Sequence, residues 1–308
     1  MNTRIVFLSI SLIFILSDVV AQQGLEPVPL DDAWKKSTFS LAPDKPMTPV
    51  KKPRRVLLFS LYTGYQHWVI PHADEVISIL GSKSGAYEVE RSVDIQMFQK
   101  KNLRRFDAVV LNNNCSVGDR RNLFYDALAK DSTKTQEECM ALAAEMEANL
   151  LNFVKRGGGL AALHGGIVMQ NNSPEFSDML GGSFDYHPPQ QMIEVMIAET
   201  EHPLLSHFQG KSFSHVDEPY FFKNAYLKKQ FRPMLYMEVA KINGLKHSGE
   251  DKYSYVSWIK KYGKGRVFYV SPSHNAQSYE NASLLQFYLN GMQYVLGDLR
   301  CDDTPKAL

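Results

Sequence analysis

The stretch Gly157-Gly158-Gly159-Leu160-Ala161-Ala162-Leu163-His164-Gly165-Gly166 decides how this chain folds. Just upstream, Thr135 to Lys155 is rich in Ala, Glu, Met and Leu, which predicts a helix. The three glycines end it, as glycines do at helix C-termini. Leu160 to Leu163 then reads as a short, wholly apolar strand, and His164 with two further glycines opens a tight turn. A continuous apolar strand suits a sheet covered on both faces, the setting of parallel βαβ units.

The same grammar extends in both directions. Val56 to Leu61 is a second buried strand, followed by a turn at Gly64 and a helix from about His72 to Leu80. Tyr87 to Val93 and Phe106 to Leu111 read as two more strands. This alternation predicts an α/β fold with a mainly parallel central sheet flanked by helices. The second half is richer in strands. Met192 to Ala198 alternates loosely, and Tyr253 to Ile259 with Arg266 to Val270 reads as a hairpin turning through Tyr262-Gly263-Lys264-Gly265. Antiparallel strands are therefore expected to extend the parallel sheet, and Ser283 to Leu296 closes the chain as a helix.

The expected organisation is a signal peptide at 1–21, an extended lead-in at 22–53, one domain at 54–298 and a tail at 299–308. Arg4, the apolar run Ile5 to Leu16 and the small residues of Val19-Val20-Ala21 form the pattern of a secretory signal cleaved before Gln22. The run is too short for a comfortable membrane span, which needs about 20 residues. The mature protein is thus expected outside the cytoplasm, periplasmic or secreted, without a stable span. Among 308 residues, 34 basic side chains balance 33 acidic ones, and no basic stripe stands out. That balance argues against nucleic acid as a partner. Cys115, Cys139 and Cys301 are an odd set without metal-type spacing, read as buried or incidental thiols.

Chemistry is expected beyond the carboxyl ends of the parallel strands, where such sheets bind ligands. Gly64, Asn112 to Asn114 and His164 to Gly166 all fall at such ends. His67 lies just past the first strand, His164 past a central one and His274 past the strand ending at Val270. His187 lies in Tyr186-His187-Pro188-Pro189, and Asp217-Glu218 precedes Pro219-Tyr220. Imidazole exchanges protons near neutral pH and also binds metals, and a nearby carboxylate orients it or acts as a second base. The glycine-flanked turn at His164 has the form of a nucleophile elbow with histidine in place of Ser or Cys, so a serine or cysteine hydrolase is not expected. The glycines match neither a Walker A loop nor a G-x-G-x-x-G fingerprint.

These motifs, in order, resemble the ThuA-like, or trehalose-utilisation, family across about Arg54 to Gly297. The family's G-[FY]-x-H turn is met by Gly64-Tyr65-Gln66-His67, and its G-G-G-L-x-x-[IL]-H-G segment by Gly157 to Gly165. G-x-x-F-x-x-H-P is met by Gly181 to Pro188, E-H-P-[IL] by Glu201 to Leu204, and D-E-x-Y by Asp217 to Tyr220. The last motif runs from Trp258 to Tyr269, with His274 following. The resemblance implies a flavodoxin-like fold similar to class I glutamine amidotransferases, with His164 in the region of their catalytic cysteine. It also implies sugar metabolism, including disaccharides oxidised to 3-keto forms.

On this reading the partner is a small carbohydrate. His164 is the expected base, with Asp217 or Glu218 orienting it or serving as the acid. His67 and His274 are expected to hold a ketone oxygen or a metal, while Tyr65, Trp68, His187 and Tyr220 contact the sugar or pack. The cofactor left open is a divalent metal such as zinc, held by His67, His164 and Glu218. The rival expectation is a non-catalytic carbohydrate-binding module of a sugar-processing assembly. A glycosidase-type pair at Asp217 and Glu218 is disfavoured, because adjacent side chains point apart.

Overall fold

A computed structural model describes residues 25–247 and 251–306; the expected signal segment lies outside them. In chain order the elements are α1 (Asp32–Leu41), β1 (Arg55–Phe59), α2 (Ile70–Ser84), β2 (Glu88–Ser92), α3 (Lys100–Leu103), β3 (Ala108–Asn112), α4 (Leu123–Leu128), α5 (Gln136–Lys155) and β4 (Gly159–Leu163). There follow α6 (Pro174–Leu180), β5 (Ser183–Tyr186), β6 (Gln191–Ile197), β7 (Phe213–Asp217), β8 (Phe221–Lys223), β9 (Arg232–Glu238), β10 (Tyr253–Tyr262), β11 (Gly265–Val270) and α7 (Ala282–Leu296).

Among the described residues the main sheet has nine strands in the order β2-β1-β3-β4-β11-β10-β9-β6-β7. The first five are parallel, and from β10 onward the pairing is antiparallel. With β11 in fifth place, the parallel part has the flavodoxin-like order 2-1-3-4-5. Order reverses between β1 and β3, the switch point at which sheets of this kind place their ligands, beyond the strands' carboxyl ends.

Successive strand residues face opposite sides of a sheet, and the core divides accordingly. Val56, Leu58, Val110, Ala161, Leu163, Phe268 and Val270 pack with α2 and α7. Their neighbours Leu57, Phe59, Val109, Leu111, Leu160, Ala162, Val267 and Tyr269 pack with α4, α5 and α6. Each fully buried aliphatic side chain contributes about 1.5–3 kcal/mol, which is why both faces of these short strands had to be apolar. The opening glycines are equally determined. Gly157 has φ +122°, and a Cβ on Gly159 would run into the Val295 carbonyl of α7.

One expectation is corrected. The lead-in at 22–53 is not wholly extended: α1 forms inside it, capped by Asp31, whose carboxylate accepts from Trp34 N at 2.8 Å. Trp34 anchors this helix, its ring 4.8 Å from that of His72 and 6.5 Å from that of Tyr279. Trp34 and Thr38 are its buried residues, too sparse a stripe to show as periodicity. The segment after 298 docks on the sheet extension, with Asp302 pairing Arg232 at 2.8 Å and Lys306 N donating to Phe231 O at 3.2 Å.

Candidate active site

Four segments deliver the central side chains. His67 follows β1 in a loop held by two hydrogen bonds, Thr63 N and Gly64 N both donating to Cys115 O at 2.9 and 2.8 Å. His164 ends β4 with φ +44°, a left-handed backbone that costs a non-glycine residue about 1 kcal/mol or more. His274 follows β11, after Ser273 at φ +135°. Glu218 follows β7. The three imidazoles form a nearly equilateral triangle, with ring centroids 5.0, 5.1 and 5.2 Å apart. One ligand-type atom from each of His67, His164, Glu218 and His274 lies within 4.8 Å of the others.

Hydrogen-bond inventory shows what this centre requires. His164 Nδ1 lies 2.8 Å from the Ser271 carbonyl, which only accepts, so Nδ1 carries the proton. The Nε2 lone pair then faces Glu218 Oε2 at 3.2 Å and His274 Nδ1 at 3.3 Å. Glu218 Oε2 also lies 3.1 Å from His274 Nδ1. A lone pair opposing a carboxylate is repulsive unless a cation, either a proton or a metal, stands between them.

The local electrostatics match. Burial first, then the neighbouring His164 and His274, lower His67 to about 2 and keep it neutral. Burial alone would raise the Glu218 carboxyl, but the neighbouring His164 and His274 imidazoles outweigh that and hold it well below the usual carboxylate range. Burial opposes charging His274, and the Glu218 hydrogen bond and charge overcome it, raising its pKa. Three imidazoles and one anionic carboxylate are a donor set suited to zinc and similar divalent ions.

The remaining expected residues separate by position. Asp217 does not face the histidine cluster. Its carboxylate accepts from Glu218 N and Ser273 N, both at 2.8 Å, and from His274 N at 3.2 Å. It therefore braces the strained Ser273–His274 backbone rather than serving as an acid. Tyr220 is buried, its ring 4.2 Å from that of His164, so it is a floor and not a sugar platform. Trp68 turns its ring to His72 at 5.3 Å and packs on the α2 side. Tyr65 is 61% exposed, with its ring 4.7 Å from that of His67. His187 stands at the rim, exposed, with Nε2 3.7 Å from Glu218 Oε1. His164 itself is fully buried, which makes it a poor base for an external substrate and a good ligand.

Three further residues support the centre, two of them without a distinctive sequence signal. Ser271 fixes the His164 tautomer. Cys115 Sγ packs 3.8 Å from His67 Nδ1. Asn113, at φ +54°, accepts from Gly165 N at 3.3 Å; its place in Asn112-Asn113-Asn114 was the one available hint. A Cβ on Gly165 would lie 2.8 Å from Cys115 Sγ and 3.0 Å from His67 Cε1. Cys115, Cys139 and Cys301 are free thiols.

A flavodoxin-ordered sheet that gathers its histidines and a glutamate past the carboxyl edge defines an α/β protein with a buried histidine–carboxylate centre, distinct from hydrolases built on a serine or cysteine elbow. The chain belongs to the ThuA family, whose model, described as trehalose utilisation, matches residues 55–295. The fold is similar to that of a putative ThuA-like protein from Bacteroides uniformis, with TM-score 0.58 and 16% identity over 80% of this chain and 93% of that one. A second, from Parabacteroides merdae, gives TM-score 0.55 and 16% identity over 80% and 90%. A cytoplasmic protein of Salmonella typhimurium LT2 gives 0.51 and 13% over 78% and 99%. Comparison with curated proteins finds no match.

Proposed function

We propose that the chain is a carbohydrate-acting enzyme, transforming glycosides and preferentially their keto-sugar forms, with a divalent cation held by His67, His164, Glu218 and His274. The observation that carries this reading is the convergence of those four ligand atoms around an Nε2 lone pair that faces a carboxylate. The family's trehalose-utilisation description supports the substrate class. Such an ion would supply Lewis acidity toward a sugar oxygen.

The proton work falls to His187. Its Nδ1 lies 2.9 Å from the Pro188 carbonyl, so Nδ1 carries the proton and Nε2 is the basic atom. A ketone at C3 acidifies the sugar's C2 proton. His187 Nε2 takes that proton, the C2–H electrons become a C1–C2 double bond, and the C1 oxygen leaves with its electron pair, to be protonated in turn. Glu218 Oε1, at 3.7 Å, steadies the imidazolium formed. Tyr65 offers an exposed ring against which a sugar face packs.

The test is incubation of purified protein, with and without chelator, with ordinary and 3-keto disaccharides. Chelator-sensitive product formation that His187→Ala abolishes without loss of bound metal is expected. Saturable binding without product would identify a binding module instead, and retained turnover in His187→Ala would remove His187 from the mechanism. The proposal includes export: N-terminal sequencing of the secreted or periplasmic protein should start near Gln22, and an intact Met1 on cytoplasmic protein would refute it.

A further inference from the structure

At the opposite edge of the parallel strands, where β1, β3 and β4 begin, the surface folds into a cavity of about 490 Å³. Its charged lining is one-sided: Lys52, Arg54, Lys100, Arg104 and Arg156 stand against Asp107. Asp107 is already engaged by Lys52 at 2.9 Å and Arg54 at 3.3 Å, and Arg54 also pairs with the buried Asp298. Lys100, Arg104 and Arg156 have no carboxylate partner among the described residues. Three uncompensated cations around one concavity repel each other, and a bound anion relieves this.

The C-terminus of α5 reaches the same cavity and would ordinarily oppose an anion. Here its last carbonyls are occupied: Gly157 N donates to Val154 O at 2.9 Å, Gly158 N to Phe153 O at 3.0 Å and Lys264 N to Lys155 O at 2.9 Å. The rest of the lining is mixed, with Phe106, Phe153 and Leu103 offering apolar surface and Asn149 and Asn152 offering amides. The volume exceeds what a bare oxyanion needs and matches a small organic ligand.

We propose that this cavity binds a phosphate or sulfate monoester carrying a ring or other apolar body. Lys100, Arg104 and Arg156 hold the oxyanion, for which guanidinium forks are geometrically suited. Phe153 and Phe106 pack the body. The site is separated from the histidine cluster by the length of the five-residue strands, roughly 16 Å, so it is independent of the proposed sugar chemistry.

The test is calorimetric titration of chelator-treated protein with phenyl phosphate, phenyl sulfate and inorganic phosphate at constant ionic strength, chelation keeping anions off the cation site. One site is expected, weakened roughly tenfold or more in an Arg104→Gln/Arg156→Gln variant, whose exposed side chains leave folding intact by thermal melt. The tighter of the two phenyl esters names the ester. No binding heat, or heat unchanged in the variant, overturns the site. Inorganic phosphate binding as tightly as phenyl phosphate overturns the apolar contact.

Discussion

Replacing Glu218 by Gln keeps the shape of the side chain and removes the negative charge from the centre of the cluster. Glu218 retains 9% exposure, and its Oε2 lies 3.2 Å from His164 Nε2 and 3.1 Å from His274 Nδ1, so little solvent can substitute for the lost charge. A cation at 100 times its dissociation constant stabilises the native state by about 2.7 kcal/mol. A domain of roughly 280 residues unfolds with an entropy of about 0.6 kcal/mol/K, so that ion should raise Tm by about 4–5 °C. Loss of an anionic ligand weakens binding by about 100-fold, also about 2.7 kcal/mol. At the same zinc concentration the variant's site would then be half filled, leaving a rise under about 1 °C. The assay is thermal unfolding of wild type and Glu218→Gln with zinc and with chelator, each protein compared with its own chelated form. A zinc-dependent rise of equal size in both, or none in wild type, would refute the cation reading.

Three further outcomes follow from the same geometry. Asp217→Asn replaces an acceptor of three backbone N–H groups with one that presents an amide to some of them, and should cost about 2–4 kcal/mol in urea unfolding; a loss under about 0.5 kcal/mol would show that the Ser273–His274 turn stands unaided. Gly165→Ala should destabilise by about 1–3 kcal/mol and weaken zinc binding, because its Cβ meets Cys115 Sγ and His67; recovery of affinity in a Cys115→Ala background tests that route. His67 takes up its proton near pH 6.5 when unfolded but only near 2 when folded. Chelated protein should therefore lose stability as pH falls through 6.5, by about 1 kcal/mol from this residue between pH 6.5 and 5.5 and by about 1.4 kcal/mol per unit below that. An equal slope between pH 6.5 and 5.5 in His67→Gln would contradict the assignment.

The parallel half was legible because buried strands and glycine turns are local signals. The expected helix at Thr135–Lys155 forms as Gln136–Lys155, with Thr135 and Glu138 closing a reciprocal cap. The strand β9 was not legible, because Pro233 argues against a strand; it pairs with Trp258 beside a register shift in β10, the setting where a sheet accommodates proline. In the site, His67, His164, Glu218 and His274 were visible as residues at strand ends, and only tertiary structure could show that they converge. Adjacent Asp217 and Glu218 carried identical sequence signals. Strand alternation sends one to the backbone of 273–274 and the other to the imidazoles, a division that the register of β7 on β6 decides. Trp68 and Tyr65 illustrate the same limit: three residues apart around one turn, one packs inward and the other faces solvent.

The four cluster residues are spread over roughly 200 positions of chain, one at the end of each of four distant strands. An ion seated among them would tie the early parallel half to the late antiparallel half like a removable cross-link, closing loops of tens of residues at once. Occupancy would then be possible only after both halves have assembled, which makes metal content a gauge of complete folding as well as of chemistry. Destabilising lesions far from the histidines, in either half, should accordingly surface first as a weakened hold on the ion.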